Sequence, residues 1–265
     1  TVRGNLYRGF ESLLFRHNIV LNININSEMK NVIVEPPTYT RLYKALKKSK
    51  NSYYKVLNED KIDSHSQVYE AHYFAHRLYN YIKFFFKLSK ARVLDCGSGL
   101  GYIARELDKV KEFDVYAADP SVSVKKISEQ LFLDKKFIHC EINTIPRKYN
   151  NFFDIIYLRE VYPFTRKDNL QLHKKLLSTL FKKIKKNGIL ILEQIKNEKD
   201  IFNNLDDLKI DYKIHYLLPV KLNRLDFMNI YLSKLKIMQF FIFIMYKIFQ
   251  KKINQFIIIK KVADL

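Results

Sequence analysis

The chain has 265 residues, 48% of them hydrophobic, enough to bury a full core in one domain with extensions. Its 47 lysines and arginines against 27 acids give a formal charge of +20, which leaves open a polyanionic partner, an anionic membrane surface or simply a solvated, lysine-rich exterior. Only Cys96 and Cys140 are present, which excludes a disulfide framework and a multi-cysteine zinc site and makes a reducing cytoplasm the expected location.

The chain starts at Thr1 rather than Met, so a preceding segment stays open. Residues 19–34, "IVLNININSEMKNVIV", alternate Leu21, Ile23 and Ile25 with asparagines before turning into Val32, Ile33 and Val34, the pattern of a β-hairpin. After Pro36 and Pro37, the apolar Tyr39, Leu42, Tyr43 and Leu46 fall at helical spacing. Residues 1–60 therefore read as an accessory segment, a hairpin plus a helix, ahead of a main domain at 61–265. A second helix is expected from about residue 64, through "QVYEAHYFAHRLYNYIKFFFKLSK", to a strand at 92–95.

From there strands and helices alternate. Helices are predicted at about 102–110, 122–131 and 169–185, and strands at 115–118, 137–140, 153–158 and 189–193. Short continuous apolar strands separated by helices indicate a parallel sheet covered on both faces. Asp154, at the start of one strand, reads as a sheet anchor. Two more strands, 214–218 and 256–260, bracket an insertion at 223–252 whose Phe227, Tyr231, Leu235, Met238, Ile242, Met245 and Phe249 form one helical stripe. Its apolar centre, "IMQFFIFIMY", reaches only about 15 Å as a helix, too short to span a bilayer. It reads either as a core or lid helix, or, over 227–250 with its flanking lysines, as a segment meeting a membrane surface, a lipid-like substrate or a protein.

The most informative stretch is "ARVLDCGSGLG", residues 91–101. It joins a strand to Gly97, Gly99 and Gly101, with Asp95 at the strand's end and a helix to follow. A dinucleotide fingerprint needs its third glycine at 102, which is Tyr, so a pyrophosphate is disfavoured. Asp-x-Gly-x-Gly-x-Gly in this setting resembles the class I S-adenosylmethionine-dependent methyltransferases. "YAADPS", "FIHCEINTIP", "FDIIYLREVYPF" and "LLSTLFKKIKKNGILILE" resemble that family's later segments in order and spacing, between about residues 92 and 193. The resemblance implies an α/β, Rossmann-like seven-stranded methyltransferase sheet, here with the accessory segment and the apolar helical insertion before the last strand.

It implies S-adenosyl-L-methionine as cofactor, held by Asp95, Gly97, Ser98, Gly99, Gly101, Asp119, Pro120, Glu141, Ile142 and Arg159. In that resemblance Asp95 meets the amino end, Asp119 the ribose hydroxyls, and Glu141 with the Ile142 backbone the adenine. No metal is implied. Methyl transfer is an in-line displacement on an activated electrophile, so alignment and exclusion of water are the main tasks. For a hydroxyl acceptor a base would help, and Glu160, Tyr162, His72 and His76 are the candidates.

The helix "YEAHYFAHRLYNYI" resembles the lead helix of small-molecule members, including quinone-biosynthesis types. A small-molecule acceptor, whether a saccharide, a lipid-linked molecule or a quinone-like one, is the leading reading. "REVYPF" lacks the Asn/Asp-Pro-Pro-aromatic pattern of base-flipping amino methyltransferases, and no Cys stands there for 5-methylcytosine chemistry. RNA stays open as an acceptor on charge alone, as does a methyltransferase-like scaffold or binding subunit without turnover. The oligomeric state is not legible.

Overall fold

A computed structural model describes residues 90–99, 101–131, 136–159, 170–195, 198–216 and 255–262, with shorter pieces at 44, 75, 78–80, 82–83, 161, 164, 235, 237–238, 240–241 and 244. The hairpin at 19–34, the accessory segment apart from Lys44, and most of the insertion lie outside the described residues. Of the lead helix, residues 75, 78–80, 82 and 83 are described, and they are helical.

The strands are β1 (Ala91–Cys96), β2 (Phe113–Asp119), β3 (Phe137–His139), β4 (Phe153–Arg159), β5 (Ile184–Ile195), β6 (Tyr212–Tyr216) and β7 (Gln255–Lys261). The helices are α1 (Tyr102–Asp108), α2 (Val122–Leu131), α3 (Leu170–Lys183) and α4 (Glu198–Asp207). All seven strands join one sheet in the order β3-β2-β1-β4-β5-β7-β6. The first five run parallel, and β7 enters antiparallel between β5 and β6. The expected seven-stranded α/β, Rossmann-like sheet is thus present.

Successive side chains alternate between two buried layers, which is why these strands are apolar nearly throughout. On one face Leu94, Ile156, Leu158, Leu190, Leu192, Ile257 and Ile259 pack against Leu177, Leu180 and Phe181 of α3 and Ile201 and Leu205 of α4. On the other, Val93, Val115, Ile155, Ile191 and Ile258 pack against Ala104 and Leu107 of α1 and against Ala75, Leu78 and Ile82. Asp154 ties the bottom of the sheet together: its carboxylate accepts from the Arg92 backbone N–H at 2.8 Å and from Lys185 Nζ at 2.8 Å.

Three elements depart from the sequence reading. Helix α4 was not expected, because only Ile201 and Leu205, one helical turn apart, announce a buried stripe among ten mostly polar residues. Strand β5 begins at Ile184 rather than 189, since α3 stops at Lys183 and the chain turns through Asn187, at φ 63, into buried Gly188. Strand β6 sits two residues earlier than 214–218, in register with β7 from Tyr212↔Lys261 to Tyr216↔Ile257.

Candidate functional site

The strand order reverses at β1. The chain proceeds outward through β2 and β3, then returns to lay β4 on the other side of β1. At such a switch point the loops leaving the carboxyl ends diverge and open a crevice, the usual ligand site of an open α/β sheet. The glycine turn leaves β1 there. Gly97, Gly99 and Gly101 have φ of 78, 52 and 72°, a left-handed region that side chains disfavour. A Cβ on Gly97 would stand 2.6 Å from Val161 Cγ2, so both φ and space demand glycine at that position. The turn is stitched to β2 by Gly97 N–H and Ser98 N–H, which donate to the Ala118 carbonyl at 2.7 and 3.1 Å.

Two buried carboxylates organise the turn. Asp119, ending β2, accepts from Gly99 N–H at 2.9 Å on one oxygen and from Ser121 N–H at 2.9 Å on the other. Asp95, in β1, accepts from Ala104 N–H at 3.1 Å and so supplies the side-chain acceptor that the N-cap residue of α1, Gly101, lacks. Burial raises the Asp95 pKa to about 7; the Ala104 bond lowers it, the nearby Asp119 charge raises it and the Arg159 charge lowers it. Asp95 therefore stands near its midpoint at neutral pH, ready to ionise against a cation.

Around them the structure gathers the rest of the expected set. Pro120 follows Asp119, and its carbonyl lies 2.9 Å from His139 Nε2. Half-buried Glu141 and Ile142 open a short 3-10 turn at the end of β3, closed by Thr144 N–H donating to the Glu141 carbonyl at 3.0 Å. Arg159 ends β4, half-buried and close enough to stabilise the Asp95 charge. Glu160, Tyr162, His72 and His76 lie outside the described residues. Burial favours the protonated form of both thiols, pushing Cys140 to about 11 and Cys96 well above its ordinary value.

One pair escaped the sequence reading. Tyr157, in β4, donates a short, buried hydrogen bond to Glu193 in β5, and Glu193 is the register partner of Arg159. The row Asp119, Asp95, Tyr157 and Arg159, Glu193 thus crosses the sheet on one face at its carboxyl edge. The available signal was a polar residue ending each apolar strand; the pairing itself needs the β4/β5 register.

These residues fit the cationic nucleoside that the sequence resemblance implies. Acids outnumber the one guanidinium, which suits a sulfonium and an ammonium. The Asp119 carboxylate ends β2 at the switch point, where a ligand's hydroxyls could donate to it. Ser98 Oγ, in the glycine turn, is buried without a hydrogen-bond partner among the described residues, a polar atom that a ligand in the crevice would satisfy.

A family model described as a methyltransferase domain matches residues 69–234. No sequence among the curated proteins matches the chain. Among solved structures, the plantazolicin methyltransferase BpumL, in complex with a pentazolic desmethylPZN analog and SAH, is similar at a TM-score of 0.50 and 12% identity, over 85% of this chain and 97% of that one. Phosphoethanolamine N-methyltransferase 2 of Haemonchus contortus, in complex with S-adenosyl-L-methionine, gives a TM-score of 0.47 and 16% identity over 72% of this chain. The match spans 52% of the Haemonchus protein's length. At such identities the likeness is one of fold.

Proposed function

The chain belongs to the methyltransferase-domain family, and from that premise we propose that it is an S-adenosylmethionine-dependent enzyme that methylates a small-molecule acceptor. The observation that carries the reading is the Asp119 carboxylate, held by Gly99 and Ser121 N–H at the switch point of the sheet, beside a second buried acid and a glycine turn. When bound, S-adenosylmethionine supplies an already activated methyl group. Asp119 offers a carboxylate to the ribose hydroxyls, Asp95 the charge for an ammonium, and Arg159 the charge for a carboxylate. Glu141 and Ile142 suit the adenine edge, and Gly97, Ser98, Gly99 and Gly101 let the backbone approach without side chains between.

The chain's work is then alignment and exclusion of water. A hydroxyl acceptor would call on a base, for which Glu160, Tyr162, His72 and His76 are the candidates. The acceptor reading, a saccharide, lipid-linked or quinone-like molecule, rests on the lead helix and the apolar insertion. The +20 charge favours one second reading, an RNA acceptor, which would show polynucleotide affinity falling steeply with salt.

Calorimetric titration with S-adenosylmethionine and S-adenosylhomocysteine tests the cofactor reading. Micromolar binding, lost in a folded Asp119→Ala variant, is the expected outcome. A well-folded protein that binds neither would overturn it and leave a scaffold or an obligate complex as the better account.

A further inference from the structure

Strands β6 and β7 are joined by the longest connection in the sheet, residues 217–254. Both β6 and β5 run antiparallel to β7, so β6 points the same way as β5 and ends at the sheet edge that carries the site. The chain returns at that edge too, where Phe256 pairs with Glu193. The connection is thus rooted at both ends on the edge of the sheet that carries the site, beyond β5.

Of the five large apolar side chains exposed among the described residues, four belong to this connection: Leu235, Ile237, Phe240 and Phe241, at 46, 65, 61 and 53%. Residues 237, 240 and 241 are helical and stand at i, i+3 and i+4, which puts them on one face. The Phe240 and Phe241 rings meet edge to face at 6.3 Å. Charge identifies what such a face meets. From Phe227 to Ala263 the sequence holds no Asp or Glu, while Lys234, Lys236, Lys247, Lys251 and Lys252 flank the apolar centre on both sides. A second copy would set lysine against lysine. An apolar stripe between acid-free basic flanks matches the acyl and headgroup layers of an anionic bilayer. The apolar centre "IMQFFIFIMY" reaches only about 15 Å as a helix, too short to cross a bilayer, so the segment would lie on the surface rather than span it.

We propose that the Ile237–Phe240–Phe241 face docks the protein on anionic lipid bilayers, with its lysines against the headgroups, and so brings the site edge of the sheet to the membrane. Docking does not depend on methyl transfer, so its test and the cofactor titration fail independently.

The chain has no tryptophan, which makes a Phe240→Trp variant a reporter at one position. The variant is mixed with vesicles of phosphatidylcholine alone, with vesicles containing a minor share of phosphatidylglycerol, and with both made from brominated acyl chains. A blue shift and bromine quenching on the phosphatidylglycerol vesicles, at least about tenfold weaker on phosphatidylcholine alone, are expected. In co-sedimentation with the full chain, Phe240→Ser with Phe241→Ser should weaken vesicle binding by at least about tenfold while leaving S-adenosylhomocysteine binding unchanged. Unchanged emission with anionic vesicles overturns the proposal. So does adsorption without bromine quenching, which would be charge alone. So, finally, does a dimer in light scattering that the double substitution dissolves, since the face would then meet a second copy.

Discussion

Asp95 shows how a buried acid can cap a helix at a cost. Its pKa is raised to about 7 by burial, so the folded state holds its proton where the unfolded chain has released it. The contribution to stability is fully present below the ordinary carboxylate value and is lost as pH rises through about 7. Asp95→Asn is therefore expected to match the parent in acid and exceed it by roughly 1–3 kcal/mol at alkaline pH, measured by urea unfolding across pH. An ammonium beside Asp95 favours its ionised form, so S-adenosylmethionine binding near pH 6 should release a proton; titrations in buffers of different ionisation enthalpy would read it, and no buffer dependence would argue against Asp95 as the partner. At Gly97, alanine would face both a φ of 78° and the Val161 methyl at 2.6 Å. Gly97→Ala should lose about 1–3 kcal/mol of stability and most cofactor affinity, by unfolding and calorimetry. The acids ending β1 and β2 and the glycines between were legible in sequence because local chemistry marks them. The Tyr157–Glu193 bond was not, because it joins residues 36 apart through strand register.

Elements were legible wherever burial on both faces left an unbroken apolar run. Strands β1 to β4 and helix α2 stand close to where periodicity puts them. The failures share a cause. Helix α4 packs on the sheet with only Ile201 and Leu205 fully buried and Phe202 partly so, and the α3/β5 junction is set by contacts from far along the chain. Lys261 of β7, 1% exposed, donates to the Phe181 carbonyl at 3.1 Å and the Ile184 carbonyl at 2.9 Å, and reaches Asn151 Oδ1 at 3.3 Å. Its ammonium thus serves the last carbonyls of α3 and the start of β5 at once. Lys261→Met fills a similar volume but leaves those carbonyls without this donor. A loss of about 2–4 kcal/mol in urea unfolding is expected, and a smaller change in S-adenosylhomocysteine affinity, because the lysine lies at the opposite end of the sheet from the glycine turn.

Over the whole molecule, a chain of net charge +20 places buried acids at the crevice where its strand order reverses. A ligand held by the proposed residues would bridge loops from β1, β2, β3 and β4, so binding should stabilise the domain as a unit. S-adenosylhomocysteine at a hundredfold its Kd is expected to add about 2.7 kcal/mol, read as a rise in Tm that Asp119→Ala abolishes. By itself the sequence determined the sheet's class, the glycine turn and the acids that end its strands, because each depends on neighbours a few residues away. Only the tertiary structure decided the rest: the insertion of β7 between β5 and β6, the row that carries Asp95, Arg159 and Glu193 onto one face, and the outward turn of Ile237, Phe240 and Phe241. Those outcomes depend on register and on which surfaces other elements cover, and both are set by contacts between residues distant in the chain.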